Sequence, residues 1–292
     1  MKKLRGTGVA IVTPFKNDTS IDFKAFGRVI EHVINGGVNY IVAMGTTGES
    51  PTLTRDEKKA IISFVLEAID GRVPLVVGIG GNNTQEIITS IRHTNLDKVD
   101  AILSVAPYYN KPTQRGLYQH FKAIANSCPV PLILYNVPGR TSINISAETC
   151  LELAHDCAGI AGIKEASGNL EQIMRILKGK PDNFSVISGD DMTTLPIIAA
   201  GGSGVISVIA NVFPSEWSEM VNHCLKSNFK SAREIQYRLM DILELLFADG
   251  SPAGAKAMLS LKDLCQNYVR LPLVPVSRPV YSRIQKALEE LK

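Results

Sequence analysis

Apolar residues in this chain fall into short, almost unbroken runs at 9–12, 40–44, 75–79, 101–105, 132–135, 160–163, 184–187 and 204–208. Each is four or five residues long and rich in β-branched side chains. Consecutive rather than alternating apolar positions predict strands of a parallel sheet covered on both faces. Segments of helical period separate the runs and carry start signals. Thr54 stands three residues before Glu57, the spacing of a capping box, while Asn83 and Ser146 open two further helices. Eight strand–helix units at this spacing predict an α/β fold of the (β/α)₈ barrel type. A doubly wound open sheet is the alternative, and the lack of a G-x-G-x-x-G after the first run counts against its dinucleotide-binding form. Beyond residue 213 the apolar runs stop, and helices are expected at 216–225, 231–247, 253–265 and 278–291. The expected organisation is a catalytic barrel over 1–225 followed by a C-terminal helical domain over 226–292.

Composition narrows the functional classes. The chain has 292 residues, 45% of them hydrophobic and 20% charged, enough for one large core. A net charge of +3 with no run of like charges argues against nucleic acid as a partner. No stretch reaches the ~18 apolar residues of a membrane span. The basic start Met1-Lys2-Lys3-Leu4-Arg5 precedes only a four-residue apolar run that Pro14 ends, so no export signal is read. Five scattered cysteines without a C-x-x-C pair favour neither a disulfide framework nor a zinc site, and the expected compartment is the cytoplasm.

In such a barrel the residues ending each strand face the active site. Here those ends read Gly45-Thr46-Thr47-Gly48-Glu49-Ser50, Pro107-Tyr108-Tyr109-Asn110, Tyr135-Asn136, Lys164-Glu165 and Ser188-Gly189-Asp190-Asp191. Lys164 follows an apolar run directly. A lysine in a dry wall is biased towards the neutral amine, a nucleophile for carbonyls. It can equally snorkel to solvent or pair with Glu165. Tyr135, one strand away, can bring its hydroxyl to that amine or serve as an ordinary core tyrosine. Thr46 and Thr47 offer hydroxyls and turn amides for a carboxylate, or simple turn chemistry. Arg140 can hold a second carboxylate or make a surface pair. Together these groups describe a site for a keto acid.

The motifs GTTGES, PYYNKP, YNVPGRT, GIKEASG, SGDD and GGSGVISVIANV, in this order, resemble the dihydrodipicolinate synthase family over roughly residues 6–225. That family makes 4-hydroxy-tetrahydrodipicolinate on the route to diaminopimelate and lysine. It is a branch of the N-acetylneuraminate lyase superfamily of class I pyruvate aldolases. The resemblance implies a lyase in which Lys164 forms an imine with pyruvate, Tyr135 moves protons, and Thr46 with Tyr109 completes a hydroxyl relay. Tyr109 would come from a neighbouring subunit of a homotetramer, a dimer of dimers. Thr47 and the backbone at Ile206 would hold the pyruvate carboxylate, and Arg140 the carboxylate of L-aspartate 4-semialdehyde. No metal or organic cofactor is implied, because the lysine is the electron sink. An inhibitory lysine site is implied at Ser50, Pro51, Arg55, Lys58, Asn82, Glu86 and Tyr108, with Lys58 where sensitive members commonly carry histidine. The chain departs from the family in its tail, with Gly250-Ser251-Pro252-Ala253-Gly254-Ala255-Lys256 in place of an Asn-Pro-x-Pro-x-Lys stretch. The alternative activity is that of another pyruvate aldolase acting on a sugar acid, of the N-acetylneuraminate or keto-deoxygluconate type.

Overall fold

The computed structural model describes residues 4–291. Eight parallel strands close a barrel in sequence order: β1 (Gly6–Ala10), β2 (Tyr40–Ala43), β3 (Leu75–Gly78), β4 (Ala101–Val105), β5 (Leu132–Asn136), β6 (Ile160–Glu165), β7 (Ser185–Ser188) and β8 (Gly204–Ser207). Closure is visible at Gly8, which lies opposite Tyr40 on one side and Ile206 on the other. The intervening helices are α1 (Phe23–Asn35), α2 (Arg55–Ile69), α3 (Thr84–His93), α4 (Gln114–Ser127), the single turn α5 (Pro138–Thr141), α6 (Ala147–Asp156), α7 (Leu170–Gly179), α8 (Thr194–Ala199) and α9 (Pro214–Leu225). The tail adds α10 (Phe229–Arg238), α11 (Met240–Phe247), α12 (Ala253–Leu261) and α13 (Arg278–Glu290).

The expected start signals cap their helices. Thr54 accepts from the Glu57 amide while the Glu57 carboxylate accepts from the Thr54 amide. Asn83 caps α3 by accepting from the Gln85 and Glu86 amides, and Ser146 caps α6 by accepting from the Thr149 amide. Every strand is buried on both faces, which is why the runs read as continuous. Ile41, Val77, Leu134 and Ile163 pack outward in a large layer shared with the helices. Tyr40, Val42, Val76, Ile133, Tyr135, Ile187 and Ile206 fill the lumen. This second cluster makes the barrel a packed core that opens at one rim.

Three elements differ from expectation. The first strand begins three residues earlier than its apolar run, in Gly6-Thr7-Gly8. The side chains of Asn39 and Tyr40 occupy the space a Cβ would need at Gly6 and Gly8, so the strand starts where no hydrophobic pattern marks it. The helix expected over 231–247 is two helices, α10 and α11. The Leu239 amide is shared between the Ile235 and Gln236 carbonyls, which tightens the last turn of α10 while the apolar period runs on. In α12 the helix stops at Leu261, short of residue 265, because the Lys262 and Leu264 amides both turn back to the Leu259 carbonyl.

α3 and α4 are joined by a buried histidine. His120 Nδ1 lies 2.8 Å from Thr84 Oγ1, and its other ring nitrogen meets no partner among the described residues. Burial lowers its pKa from 6.5 to about 4. The folded protein therefore keeps the ring neutral at pH values where the unfolded chain protonates it. This contribution to stability is fully present above about pH 6.5 and is lost as pH falls towards 4. The loss amounts to roughly 3 kcal/mol. Melting temperature followed from pH 7 to 4 should fall more steeply in the native chain than in His120→Gln. Parallel curves would show that His120 does not contribute.

Candidate active site

Strand register brings the central pair together. Tyr135 lies directly opposite Lys164, and the next pair along is Asn136 opposite Glu165. Because side chains alternate along a strand, the two pairs face opposite ways. Tyr135 and Lys164 turn into the lumen, both almost fully buried, with the Lys164 Nζ 4.3 Å from the centre of the Tyr135 ring. Gly189, beyond the end of β7, clears the path of the lysine, since a Cβ there would come within 3.0 Å of its Cγ and Cε.

Asn136 and Glu165 turn outward, into the layer between barrel and helices. The Asn136 amide donates to both Glu165 oxygens at 2.9 and 3.0 Å, and to Asn144 Oδ1 at 2.8 Å. Its own Oδ1 accepts from the Ile145 amide, and the Ser167 amide adds a further donor to Glu165. Burial pushes the Glu165 carboxyl above its ordinary value, against the pull of these donors. Glu165 is thereby occupied away from Lys164, so the pairing between these neighbours that the sequence left open is not made. This network ties the ends of β5 and β6, and it was not anticipated. Its only signal was that each apolar run ends in two polar residues rather than one.

The loop after β2 is a chain of tight turns. Gly48 N donates to Gly45 O and Glu49 N to Thr46 O, each at 3.1 Å, while Thr13 Oγ1 donates to Gly48 O at 2.8 Å. Met44 and Glu49 both take the left-handed conformation, at φ 56° and 55°. A Cβ at Gly78 would collide with the Met44 carbonyl, so β3 can pass under the loop only with glycine there. Thr47 is buried and Thr46 half-buried. Ile206 lines the lumen on β8. Just beyond it, Asp191 accepts from the Val208 and Ile209 amides at 2.9 and 3.0 Å, fixing the end of that strand.

A cavity of about 510 Å³ opens at this rim. Thr46, Tyr135 and Arg140 form part of its wall, and so do all seven positions of the expected inhibitor site: Ser50, Pro51, Arg55, Lys58, Asn82, Glu86 and Tyr108. Lys164, Thr47 and Ile206 are buried and do not form its wall, and Lys164 adjoins it through the Tyr135 ring. Tyr109 stands outside, 90% exposed, with a left-handed backbone at φ 73°. The third hydroxyl of the expected relay therefore lies in solvent within a single chain. The adjoining residues are laced down: Asn82 Nδ2 donates to Tyr108 O and Asn110 Nδ2 to Asn82 O. Lys58 is half-buried, and burial lowers its pKa while the Glu86 carboxylate pulls it back up.

Arg140 sits on α5 and donates from Nη2 to the Ser251 carbonyl at 3.3 Å. Ser251 belongs to the stretch 250–256, where the sequence is expected to depart from the family pattern. Lys256 of the same stretch is wholly buried against Glu49. This segment thus touches the rim itself.

The sequence model of the Dihydrodipicolinate synthetase family matches residues 3–291. A 4-hydroxy-tetrahydrodipicolinate synthase of Flavobacterium psychrophilum is 50% identical over 291 residues, covering all of this chain and 99% of its own. Among solved structures, dihydrodipicolinate synthase from Aquifex aeolicus superposes with a TM-score of 0.95 at 41% identity, covering 98% of both chains. The lysine-bound enzyme from Cyanidioschyzon merolae gives 0.95 at 38% identity, over 99% of this chain and 98% of that one.

Proposed function

The chain belongs to the dihydrodipicolinate synthetase family of lyases, and we propose that it condenses pyruvate with L-aspartate 4-semialdehyde through an imine on Lys164. The observation that supports this most is the register of Tyr135 opposite Lys164, which sets a buried amine beside a tyrosine at the floor of an open cavity. The Lys164 amine would attack the pyruvate carbonyl and release water. The imine withdraws electrons, so the methyl group gives up a proton and becomes an enamine. Tyr135 is the proton carrier, with Thr46 and a Tyr109 supplied by a second copy as the path to solvent. Thr47 and the backbone at Ile206 hold the pyruvate carboxylate, and Arg140 receives that of the semialdehyde. Once the enamine carbon has joined the aldehyde, the product's own amino group displaces Lys164 and closes a six-membered ring.

Tyr109 bears on assembly. A 90% exposed tyrosine in a strained backbone conformation has little to gain within one chain. We take it to be handed to a partner, making a dimer the minimal active unit and a dimer of dimers the full assembly. In this proposal residues 1–225 are the catalytic barrel and 226–292 a helical domain. The enzyme would act in the cytoplasm, consistent with five unpaired cysteines.

Borohydride reduction with pyruvate should leave a pyruvate-derived mass on the peptide carrying Lys164, and none in Lys164→Ala. Turnover with aspartate semialdehyde should exceed that with N-acetylneuraminate or keto-deoxygluconate. Tyr135→Phe should lower it by about 10². Arg140→Ala should cost roughly 1.5–3 kcal/mol in use of the semialdehyde with imine formation intact. An adduct on another lysine, or faster turnover of a sugar acid, would overturn the assignment.

The part of the cavity wall formed by Ser50, Pro51, Arg55, Lys58, Asn82, Glu86 and Tyr108 is proposed to bind L-lysine weakly. Asn82, Glu86 and Tyr108 suit its carboxylate and ammonium groups, and the Cyanidioschyzon merolae relative was solved with lysine bound. Lys58 sets a like charge in the same wall, already drawn to Glu86. Two such charges at 4 Å repel by about 1 kcal/mol in water and up to about 4 at an effective dielectric of 20. Inhibition by lysine should be partial and should strengthen in Lys58→His. Complete inhibition of the unmodified enzyme at low lysine concentration would contradict this.

A further inference from the structure

Glu49 ends the loop that carries Thr46 and Thr47, yet its side chain points away from the cavity into the C-terminal segment. Its carboxylate is fully enclosed. One oxygen accepts from Lys256 Nζ at 2.5 Å and the other from the Arg270 amide at 2.9 Å. Lys256 completes its own shell with the Tyr268 carbonyl at 2.8 Å and the face of Phe15, 4.1 Å from the ring centre. The Arg270 guanidinium covers the same ring at 4.3 Å. It donates to the carbonyls of Thr52 and Thr19 and grips Glu57 with both nitrogens. Residues 256–270 therefore hold both ends of the segment from Glu49 to Glu57.

The backbone at Glu49 makes the arrangement informative. A left-handed residue is ordinarily glycine or asparagine, because a larger side chain is strained there. A charged residue at this position is held in place by what its side chain contacts. Glu49 N in turn donates to Thr46 O, so the gripped residue is tied directly to the turn that carries Thr46 and Thr47. A buried carboxylate stripped of its ammonium is driven towards water. Here it could leave only by dragging the turn with it.

We propose that the Lys256–Glu49 pair, braced by Arg270, is a positioning device that holds the Thr46–Thr47 turn in its substrate-binding shape. The C-terminal segment is thereby part of the catalytic apparatus. The role in pyruvate binding rests on the function proposed above, whereas the grip on the turn does not. Simple attachment of the tail to the barrel would instead predict loosening confined to the tail.

Hydrogen exchange and pyruvate trapping on Lys256→Met separate these cases, with Arg270→Lys as a milder variant should the first fail to fold. The peptide covering 45–52 should exchange at least tenfold faster, while β5 and β6 peptides stay unchanged. The pyruvate concentration giving half-maximal adduct on Lys164 should rise by a similar factor, with a smaller change in the maximum. Unchanged exchange over 45–52 in the folded variants would overturn the proposal. So would faster exchange with unaltered pyruvate saturation. If the native chain formed no adduct at all, the function would be wrong, while exchange over 45–52 would still decide whether the grip exists.

Discussion

The site depends on the register between β5 and β6. Setting Tyr135 against Lys164 also sets Asn136 against Glu165, and strand alternation sends the two pairs to opposite faces. The inward pair is a lysine packed on a tyrosine ring in the lumen. The outward pair is a buried carboxylate held by an amide, and it is costly to disturb, because a slip would strand Glu165 without its donors. A one-residue shift would also move Lys164 to the helix-facing layer. The polar lock on one face thus fixes the inward pair on the other, and the same register keeps Glu165 from pairing with Lys164.

Around this pair the cavity is assembled from segments distant in sequence, each held by a few polar contacts. The turn after β2 is stacked over Gly78 and gripped from behind by Lys256. The end of β8 is held by Asp191, and Arg140 rests on the Ser251 carbonyl. The groups proposed to meet substrate sit at strand ends and on short turns rather than on long loops, which limits how far they can wander. The exception is Tyr109, whose exposure suits a role completed only by a second copy.

Much of this was legible in the chain. Two-sided burial turns each parallel strand into a continuous apolar run, so seven of the strands lie close to where their runs predict them. The first strand was displaced because Gly6 and Gly8 make room for the side chains of Asn39 and Tyr40, a reason invisible to a hydrophobicity pattern. Lys164 and Tyr135 stood out because a polar residue closing an apolar run in a barrel faces the rim. The outward lock was hidden, since it depends on which face each residue takes. Lys256 was harder still. It lies in an otherwise apolar turn of α12, and its partner is 207 positions away. The stretch containing it reads as a departure from the family, whereas in the structure it meets Arg140 at Ser251 and the turn after β2 at Lys256.

A crystal structure of the protein soaked with pyruvate tests the central claim most directly. Continuous density should run from the Lys164 Nζ to the second carbon of pyruvate, with the carboxylate held by Thr47 of the turn after β2 and by the backbone at Ile206, and the Tyr135 hydroxyl beside the new bond. Pyruvate bound without a covalent link, attached to another lysine, or seated with its carboxylate away from that turn would contradict it.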